Sequence, residues 1–499
     1  MSTPRWLNSR QIERRIVIRG DLILETPARL GNGDTDGLVD MPLLLDPLQG
    51  MPLLTGASIA GALRSYLQQR EVGYWAKAEK DPLTKTLFGL QEGDNGKQSW
   101  LIVDDSLGVS APPLETAATT SAHGDETPRR PRVELRDGVA IDPETRTAAE
   151  KKKYDFEALQ AGTRFPLRLE LLVREKERDK VLRGVALALQ GLERGEIPIG
   201  GRKRRGLGQC RVQGWEVIDY DLTDPQRLVA WLDGDESGKQ EDARIAPLLG
   251  LTAEPGDDGR VSFCLDATFD LDGSLLIRSA PIRKGEPDFV HLRSRRGNEL
   301  KSIVSGTSLA GALRARALRI ARTVAATPDK GATFIDDMFG PHISDNTSVE
   351  ARTKPAASRL TVAETEIRNP LHLVQTRVKI DRFTGGAFPT GLFSEEPVFS
   401  QAGTRVCVSL DLQGPCDGQI GLLLLLLKDL WLGDLPLGGE SSVGRGRLKG
   451  KEATLTYRQG AANTPETWTI QANGAGLTIV GDADKLQGYV DAFIEQVTT

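Results

Sequence analysis

The chain has 499 residues, and at roughly 150 residues per domain two or three domains are expected. Hydrophobic residues make up 39% and charged residues 27%, ordinary values that exclude wholesale disorder. The 64 Lys or Arg against 69 Asp or Glu leave a formal charge of −5, which taken alone speaks against a basic nucleic-acid binder. The opening MSTPRWLNSRQIERR is charged and has no apolar core, so no signal peptide is expected there. Four cysteines without a C-x-x-C pair indicate neither a zinc knuckle nor a disulfide framework. The longest apolar run, GLLLLLL at 421–427, falls far short of the about 20 residues a membrane-spanning helix needs, and reads as a buried helix. A soluble cytoplasmic protein with no membrane partner is expected.

In chain order, alternation of apolar and polar residues predicts a half-buried strand at Ile16–Leu24. The loop Gly31–Asp40 follows, then a strand hairpin, Met41–Leu45 with Leu53–Leu54. A helix begins after Gly56, with Ser58 as its cap and Ile59, Leu63 and Leu67 on one face. Strands at Trp100–Val103 and Phe165–Val173, a helix over 178–194, a Gly-rich loop and a strand Gly208–Val212 complete a unit. The order then returns as Val261–Phe269, a helix from about Ser308, Leu360–Val362, Arg405–Leu412, a helix Ile420–Leu432 and Gly446–Lys449.

The sequence itself repeats. GASIAGALR at 56–64 recurs as GTSLAGALR at 306–314, and LFG at 87–89 as MFG at 338–340. AGTRF at 161–165 recurs as AGTRV at 402–406, and GGRKRRGLG at 200–208 as GGESSVGRG at 438–446. Four matches in one order, at offsets of 238 to 251 residues, mark a tandem duplication. The expected fold class is α+β, two tandem domains in β-α-β-β-α-β order, which is that of a ferredoxin-like (RRM-like) fold whose sheet often carries RNA. Residues 1–235 form the first domain, 236–258 an acidic linker and 259–499 the second domain. Its extension, 452–499, reads as a strand pair and a helix at Asp482–Val497. Residues 216–260 hold 12 acidic against 4 basic side chains; without them the balance of the chain becomes +3. The cations left over gather at 129–136, 202–211, 293–301 and 445–451.

Three motifs carry chemistry. In the loop Ile199–Gln209, Gly200 and Gly201 would let backbone N–H groups approach a phosphate, and Arg202, Lys203, Arg204 and Arg205 add positive charge. The same residues also compose a solvated basic turn. The second copy keeps Gly438 and Gly439 with Arg445 but loses most of the cations. Next, the helix starts at Gly56 and Ser58, and at Gly306 and Ser308, offer unpaired N–H groups to a phosphate, with Arg64 and Arg314 one to two turns on. A capped, packed helix would use the same residues. Last, Asp34, Asp36 and Asp40 could gather round a hard cation, although an Asp- and Gly-rich segment is also an ordinary turn. His123, His291, His342 and His372 are scattered without catalytic-triad or zinc spacing.

The opening strand, the Gly-x-Gly-Asp loop, Asp40-x-Pro, Asp46-Pro-Leu-Gln-Gly, the G-x-S-[IL]-x-G-x-L-R helix and the late Gly-rich loop together resemble RAMP-superfamily proteins. More narrowly they resemble backbone subunits of type III CRISPR effector complexes, in the fused double-RAMP form of type III-D-like systems. Arg136-Asp-Gly-Val-Ala-Ile-Asp142 and Arg377-Val-Lys-Ile-Asp381-Arg382 fit the same pattern. The resemblance implies a guide crRNA gripped by the helix start and Gly-rich loop, and thumb hairpins at about 108–140 and 342–380 that kink the guide–target duplex. It also implies an aspartate, corresponding to Asp40, that supports cleavage of target RNA with Mg²⁺ or another divalent metal. The same spacing in the second copy lands on Val290, with Asp288 nearby, so that domain is either silent or uses Asp288. The implied partners are guide crRNA, target RNA and other CRISPR effector subunits. Three alternatives stay open: a non-catalytic crRNA scaffold, a crRNA-processing endoribonuclease relying on a histidine base, and a generic RNA-binding protein.

Overall fold

The structure, a computed structural model, describes residues 12–33, 39–74, 83–90, 96–110, 129–142, 145, 147–251, 258–281, 285–297, 299–341, 356–460, 464–474 and 476–499. It divides into two compact units: residues 1–134, 157–201 and 208–260, and residues 135–156, 202–207 and 261–499. Two short segments of the first repeat, 135–156 and 202–207, therefore belong to the second unit.

In the first unit, strand β1 (Arg14–Leu24) is central. It pairs antiparallel with β3 (Thr163–Val173) and β4 (Cys210–Asp221), and β2 (Leu101–Val103) adds to the far side of β3. Ile16, Ile18, Leu22, Leu167, Leu169 and Leu171 point to one face, as the period of two requires. Helices α1 (Gly56–Val72) and α2 (Arg178–Glu193) cover that face with Ile59, Leu63, Leu67, Val185 and Leu189. The acidic stretch is mostly exposed but not featureless, and Ile245 and Leu249 within it are buried in the core of the first unit. Gln240–Asp242, inside the segment read as linker, forms strand β5 on β4. Arg19–Glu236 and Lys239–Glu216 ion pairs flank it at 2.6 and 3.2 Å, so local pairing offsets part of the charge that argued against order.

The second unit repeats the order. Strand β6 (Val261–Asp272) lies between β8 (Arg405–Gln413) and β9 (Arg447–Gln459), and β7 (Leu360–Val362) pairs with β8. Helix α3 (Gly306–Val324) and α4 (Asp417–Trp431) complete it. The GLLLLLL run is buried, as its composition predicts, and is apolar on more than one face because two layers cover it. The β-sheet lies beneath α4, and α5 (Ala483–Thr498) packs so closely above that a Cβ on Gly421 would sit 2.0 Å from the Tyr489 carbonyl oxygen. The extension before α5 is the expected strand pair, Glu466–Asn473 and Gly476–Val480, added to β9.

One expectation is corrected. The caps of α1 and α3 are Thr55 and Ser305, not Ser58 and Ser308. Thr55 Oγ1 accepts the Ser58 N–H at 3.3 Å and Ser305 Oγ accepts the Ser308 N–H at 3.2 Å. The serine of the motif is thus the third helical residue, whose donor the cap satisfies.

A buried ion triad holds the segment 135–156 in the second unit. Arg136 grips Glu364 through two N–H donors at 2.5 and 3.1 Å, and Arg296 donates to the same carboxylate at 2.5 Å. The Glu364 side chain is 1% exposed. Burial alone would raise its pKa, but the charges and hydrogen bonds of the two guanidiniums more than offset that and hold it below the usual carboxylate range. His291 is buried as well. Its Nε2 lies 3.0 Å from the Ile303 carbonyl and its Nδ1 accepts from the Ile277 N–H at 3.3 Å, while burial pushes its pKa down to about 4, so it is a neutral core residue.

Glu364→Gln leaves two buried cations facing a neutral amide, and is expected to cost roughly 3–5 kcal/mol in urea unfolding at pH 7. The sign with pH follows from the lowered pKa: the carboxylate's contribution is complete above about pH 4.5 and fades as the pH falls further. The gap between wild type and variant should therefore narrow on acidification.

Candidate nucleic-acid interface

Each Gly-rich loop is fastened to the turn that follows its central strand. In the first repeat, the Gly201 N–H donates to the Arg29 carbonyl at 2.8 Å and the Gly208 N–H to the Pro27 carbonyl at 2.8 Å, while the Ile199 N–H donates to Gly208 at 2.9 Å. The second repeat duplicates this bond for bond. Gly439 donates to Leu276 at 2.8 Å, Gly446 to Ser274 at 2.7 Å, and the Leu437 N–H to Gly446 at 2.9 Å. The room is as tight as the bonding. A Cβ on Gly208 would lie 1.9 Å from the Ile199 oxygen and one on Gly446 1.9 Å from the Leu437 oxygen, at φ +74° and +82°. These glycines therefore serve backbone–backbone closure, and the N–H groups of Gly201 and Gly439 are already used inside the protein. Gly200 and Gly438 sit at φ +78° and +74° in the same closure, against the Arg29 and Leu276 carbonyls.

Most of the loop cations are occupied too. Arg202 lies over the rings of Tyr154 and Phe156 at 4.8 and 4.6 Å and donates to the Tyr154 hydroxyl at 2.8 Å. Arg204 donates to Thr361 at 2.9 Å and to Gln413 at 2.5 Å. Arg205 is largely buried; desolvation, with Arg314 and Arg202 nearby, lowers its pKa. Lys203 is exposed. In the second repeat Arg445 is buried, donating to Glu395 at 2.5 Å and Gln375 at 2.9 Å, and Glu440 also binds Arg278 and Arg377 at 2.7 Å.

The two helix starts share a buried glycine and a capped serine, with Ser58 Oγ 2.9 Å from the Thr55 hydroxyl, and differ at the arginine. Gly56 is needed because a Cβ there would lie 2.1 Å from the Val103 oxygen; its N–H donates to Asp105 at 2.7 Å. Ser58 and Arg64 are exposed on α1. Gly306 is buried, Ser308 Oγ is 2.9 Å from the Ser305 hydroxyl, and Arg314 is tied to the Gly340 carbonyl at 2.6 Å and to Asp336.

Asp40 is exposed, three residues before Leu43, which bridges to Gly31, itself two residues after Arg29, which bridges to Gly201. Asp34 and Asp36 lie outside the described residues. Asp288 is exposed, but its carboxylate accepts from the Ser394 N–H at 2.7 Å and from its hydroxyl at 3.1 Å, bonds that lower its pKa. Val290, which takes the spacing of Asp40, is 2% exposed in the core. Among the described residues no group of three or more His, Cys, Asp or Glu is placed to hold a metal. A single exposed carboxylate nevertheless suits a hard ion such as Mg²⁺, which commonly takes one or two carboxylates and completes its shell with phosphate oxygens and water.

A family model described as the RAMP superfamily matches residues 21–211 and again 268–449, so that each match contains one fastened loop. The chain belongs to the RAMP superfamily. No curated protein sequence matches it. Membership makes this RAMP protein a CRISPR-associated RNA-binding subunit that works with other effector subunits. No helix among the described residues is long and apolar enough to cross a membrane.

Two exposed features of the RAMP protein escaped the motif reading. Strand Ala148–Leu159, which pairs with Val133–Ile141, carries Lys151, Lys152 and Lys153 exposed in a row. The hairpin of Gln375–Ile380 and Ala387–Glu396 ends in a turn where Phe383 is 100% exposed and Lys379 lies 4.4 Å over the Phe388 ring. The run KKKY was visible as a signal; the exposed phenylalanine was not, because a lone Phe between charged residues reads as core until its turn is seen.

Gly446→Ala is expected to lower stability by at least about 1–2 kcal/mol from the left-handed backbone alone, with the clash added. Arg64→Ala should leave the melting temperature unchanged and weaken RNA binding instead. Thermal unfolding and filter binding on the two variants separate these outcomes.

Proposed function

We propose that the chain is a backbone subunit of a type III CRISPR effector complex, which binds guide crRNA and supports cleavage of the complementary target RNA at Asp40. Each repeat has the strand order last–first–third–second (β4-β1-β3-β2 and β9-β6-β8-β7) with two helices on one face, an arrangement that supports a ferredoxin-like reading. The hairpins Val133–Ile141/Ala148–Leu159 and Gln375–Ile380/Ala387–Glu396 are read as the thumbs, running past the expected bounds at 140 and 380; residues 111–128 and 342–355 of the expected ranges lie outside the described residues. Lys151–Lys153 on the first and Lys379, Arg382 and Phe383 on the second are exposed, the combination of cation and stacking face that holds a splayed strand.

The observation that carries the cleavage reading is the contrast between repeats. Asp40 is exposed, whereas Val290 at the matching place is buried in the core. Catalysis is therefore assigned to the first repeat, and the second is read as scaffold. In RNA a 2′-hydroxyl can attack the neighbouring phosphate once a kinked nucleotide is aligned, losing its proton and expelling the 5′-oxygen of the next nucleotide, which takes up a proton, to leave a 2′,3′-cyclic phosphate, so positioning supplies much of the acceleration. Asp40 would hold a divalent ion, which when bound neutralises charge at the reacting phosphate. Lysines grip the backbone without reading bases, and base pairing with the guide selects the sequence. The guide-processing alternative needs a histidine base; His291 is buried and neutral, His372 is exposed with its Nδ1 3.3 Å from Glu396, and His123 and His342 lie outside the described residues.

In the assembled complex, Asp40→Ala should abolish one target-cleavage product and leave guide and target binding intact; persistence of every product would show the subunit to be scaffold only. Lys151→Ala, Lys152→Ala and Lys153→Ala combined should weaken guide binding and flatten its salt dependence, by up to about 0.7 in slope for each phosphate that the lysines no longer neutralise.

A further inference from the structure

In the second unit, strand β7 and the turn after it are covered. The 3₁₀ turn Lys203–Arg205 and Gly206 lie on them: a Cβ on Gly206 would sit 2.2 Å from the Glu364 nitrogen, and Arg204 reaches Thr361 and Gln413. Arg136 completes the cover by gripping Glu364. The corresponding residues of the first repeat follow from aligning Leu360-Thr-Val-Ala-Glu364 with Leu101-Ile-Val-Asp-Asp105. Ile102 stands for Thr361 and Asp105 for Glu364. Ile102 is 39% exposed and Asp105 is exposed, so in the first repeat the same edge strand and acidic turn lie open.

On the reading that the chain is a backbone subunit, we propose that β2 and Asp105 dock the Gly-rich loop and a hairpin arginine of a different RAMP-type chain. The internal arrangement at β7 supplies the template: an arginine-bearing loop on the strand, and one arginine on the carboxylate. Charge argues for a non-identical partner over a second copy. In a second copy the residue at the place of Arg136 is Arg377, already bound to Glu395 at 3.0 Å and Glu440 at 2.7 Å. The residues at the places of Arg204 and Arg205 are Ser442 and Val443. At these three places a second copy would thus bring no spare cation to Asp105, whereas a chain with a loop like Arg202–Arg205 would.

The test mixes the full chain, without RNA, with the other RAMP-family subunits of its effector complex and reads binding by native mass spectrometry and biolayer interferometry. Ile102→Glu, at an exposed site, should weaken docking by tenfold or more. Asp105→Asn keeps an acceptor for the Gly56 N–H and removes the charge, and should weaken docking several-fold. Ile102→Glu should leave the melting temperature and guide affinity of the isolated chain unchanged, and Asp105→Asn its melting temperature. Docking unaffected by Ile102→Glu overturns the proposal, and so does self-association of the wild-type chain that Ile102→Glu abolishes, which would make a second copy the occupant. Loss of guide binding by the wild-type chain would instead defeat the functional reading, and the RNA-free docking measurement stands apart from it.

Discussion

Both repeats depend on one constraint: the Gly-rich loop must close onto the turn after the central strand with no side chain between. The bonds from Gly201 to Arg29 and from Gly439 to Leu276, and the 1.9 Å approach at Gly208 and Gly446, are the same in each. Closure of this kind tolerates glycine alone, since a Cβ would meet a carbonyl oxygen in a backbone conformation that L-residues avoid. It fixes where β4 and β9 enter their sheets, and it brings the Asp40 segment next to the loop through Arg29 and Gly31. The glycine pattern survives in both copies although nearly every side chain between the glycines differs, which is what a backbone requirement produces.

What differs between the copies is therefore what closure does not dictate. RKRR in one loop faces ESSV in the other, and each set is matched to its own surroundings. Arg204 meets Thr361 and Gln413, while Glu440 gathers Arg278, Arg377 and Arg445. At the spacing of Asp40 the second copy carries Val290, which belongs to the hydrophobic interior. Around its own loop that copy has instead an ion-paired frame of Glu395 and Glu440 with Arg377 and Arg445.

Much of the fold was legible from local signals. Alternation located β1, β3, β6 and β8, the LFG and AGTR repeats exposed the duplication, and GLLLLLL announced α4. The cap positions were not, because G-x-S draws the eye to the serine while the hydroxyl that caps lies one residue before the glycine. Nor could the sequence distinguish a glycine that admits a phosphate from one that admits a carbonyl; both need the same missing Cβ. The pairings of Arg136 with Glu364 and Arg377 with Glu395 span 228 and 18 residues, and no periodicity connects such partners.

The charge count misled in a further way. Taking out the acidic stretch makes the rest of the chain positive, which suggests free cations for RNA, yet many of the arginines in the repeated motifs are consumed inside the protein. Arginine suits that role, since its planar fork can satisfy two carboxylates at once and it loses less hydration than an ammonium when buried. Lysine keeps its charge in water, and Lys151–Lys153, Lys203 and Lys379 are exposed. The RNA-facing charge of this chain is accordingly to be sought on its hairpin lysines and on the few outward arginines such as Arg64 and Arg382, and the arginines of the Gly-rich loops are better understood as the means by which each loop is held in place.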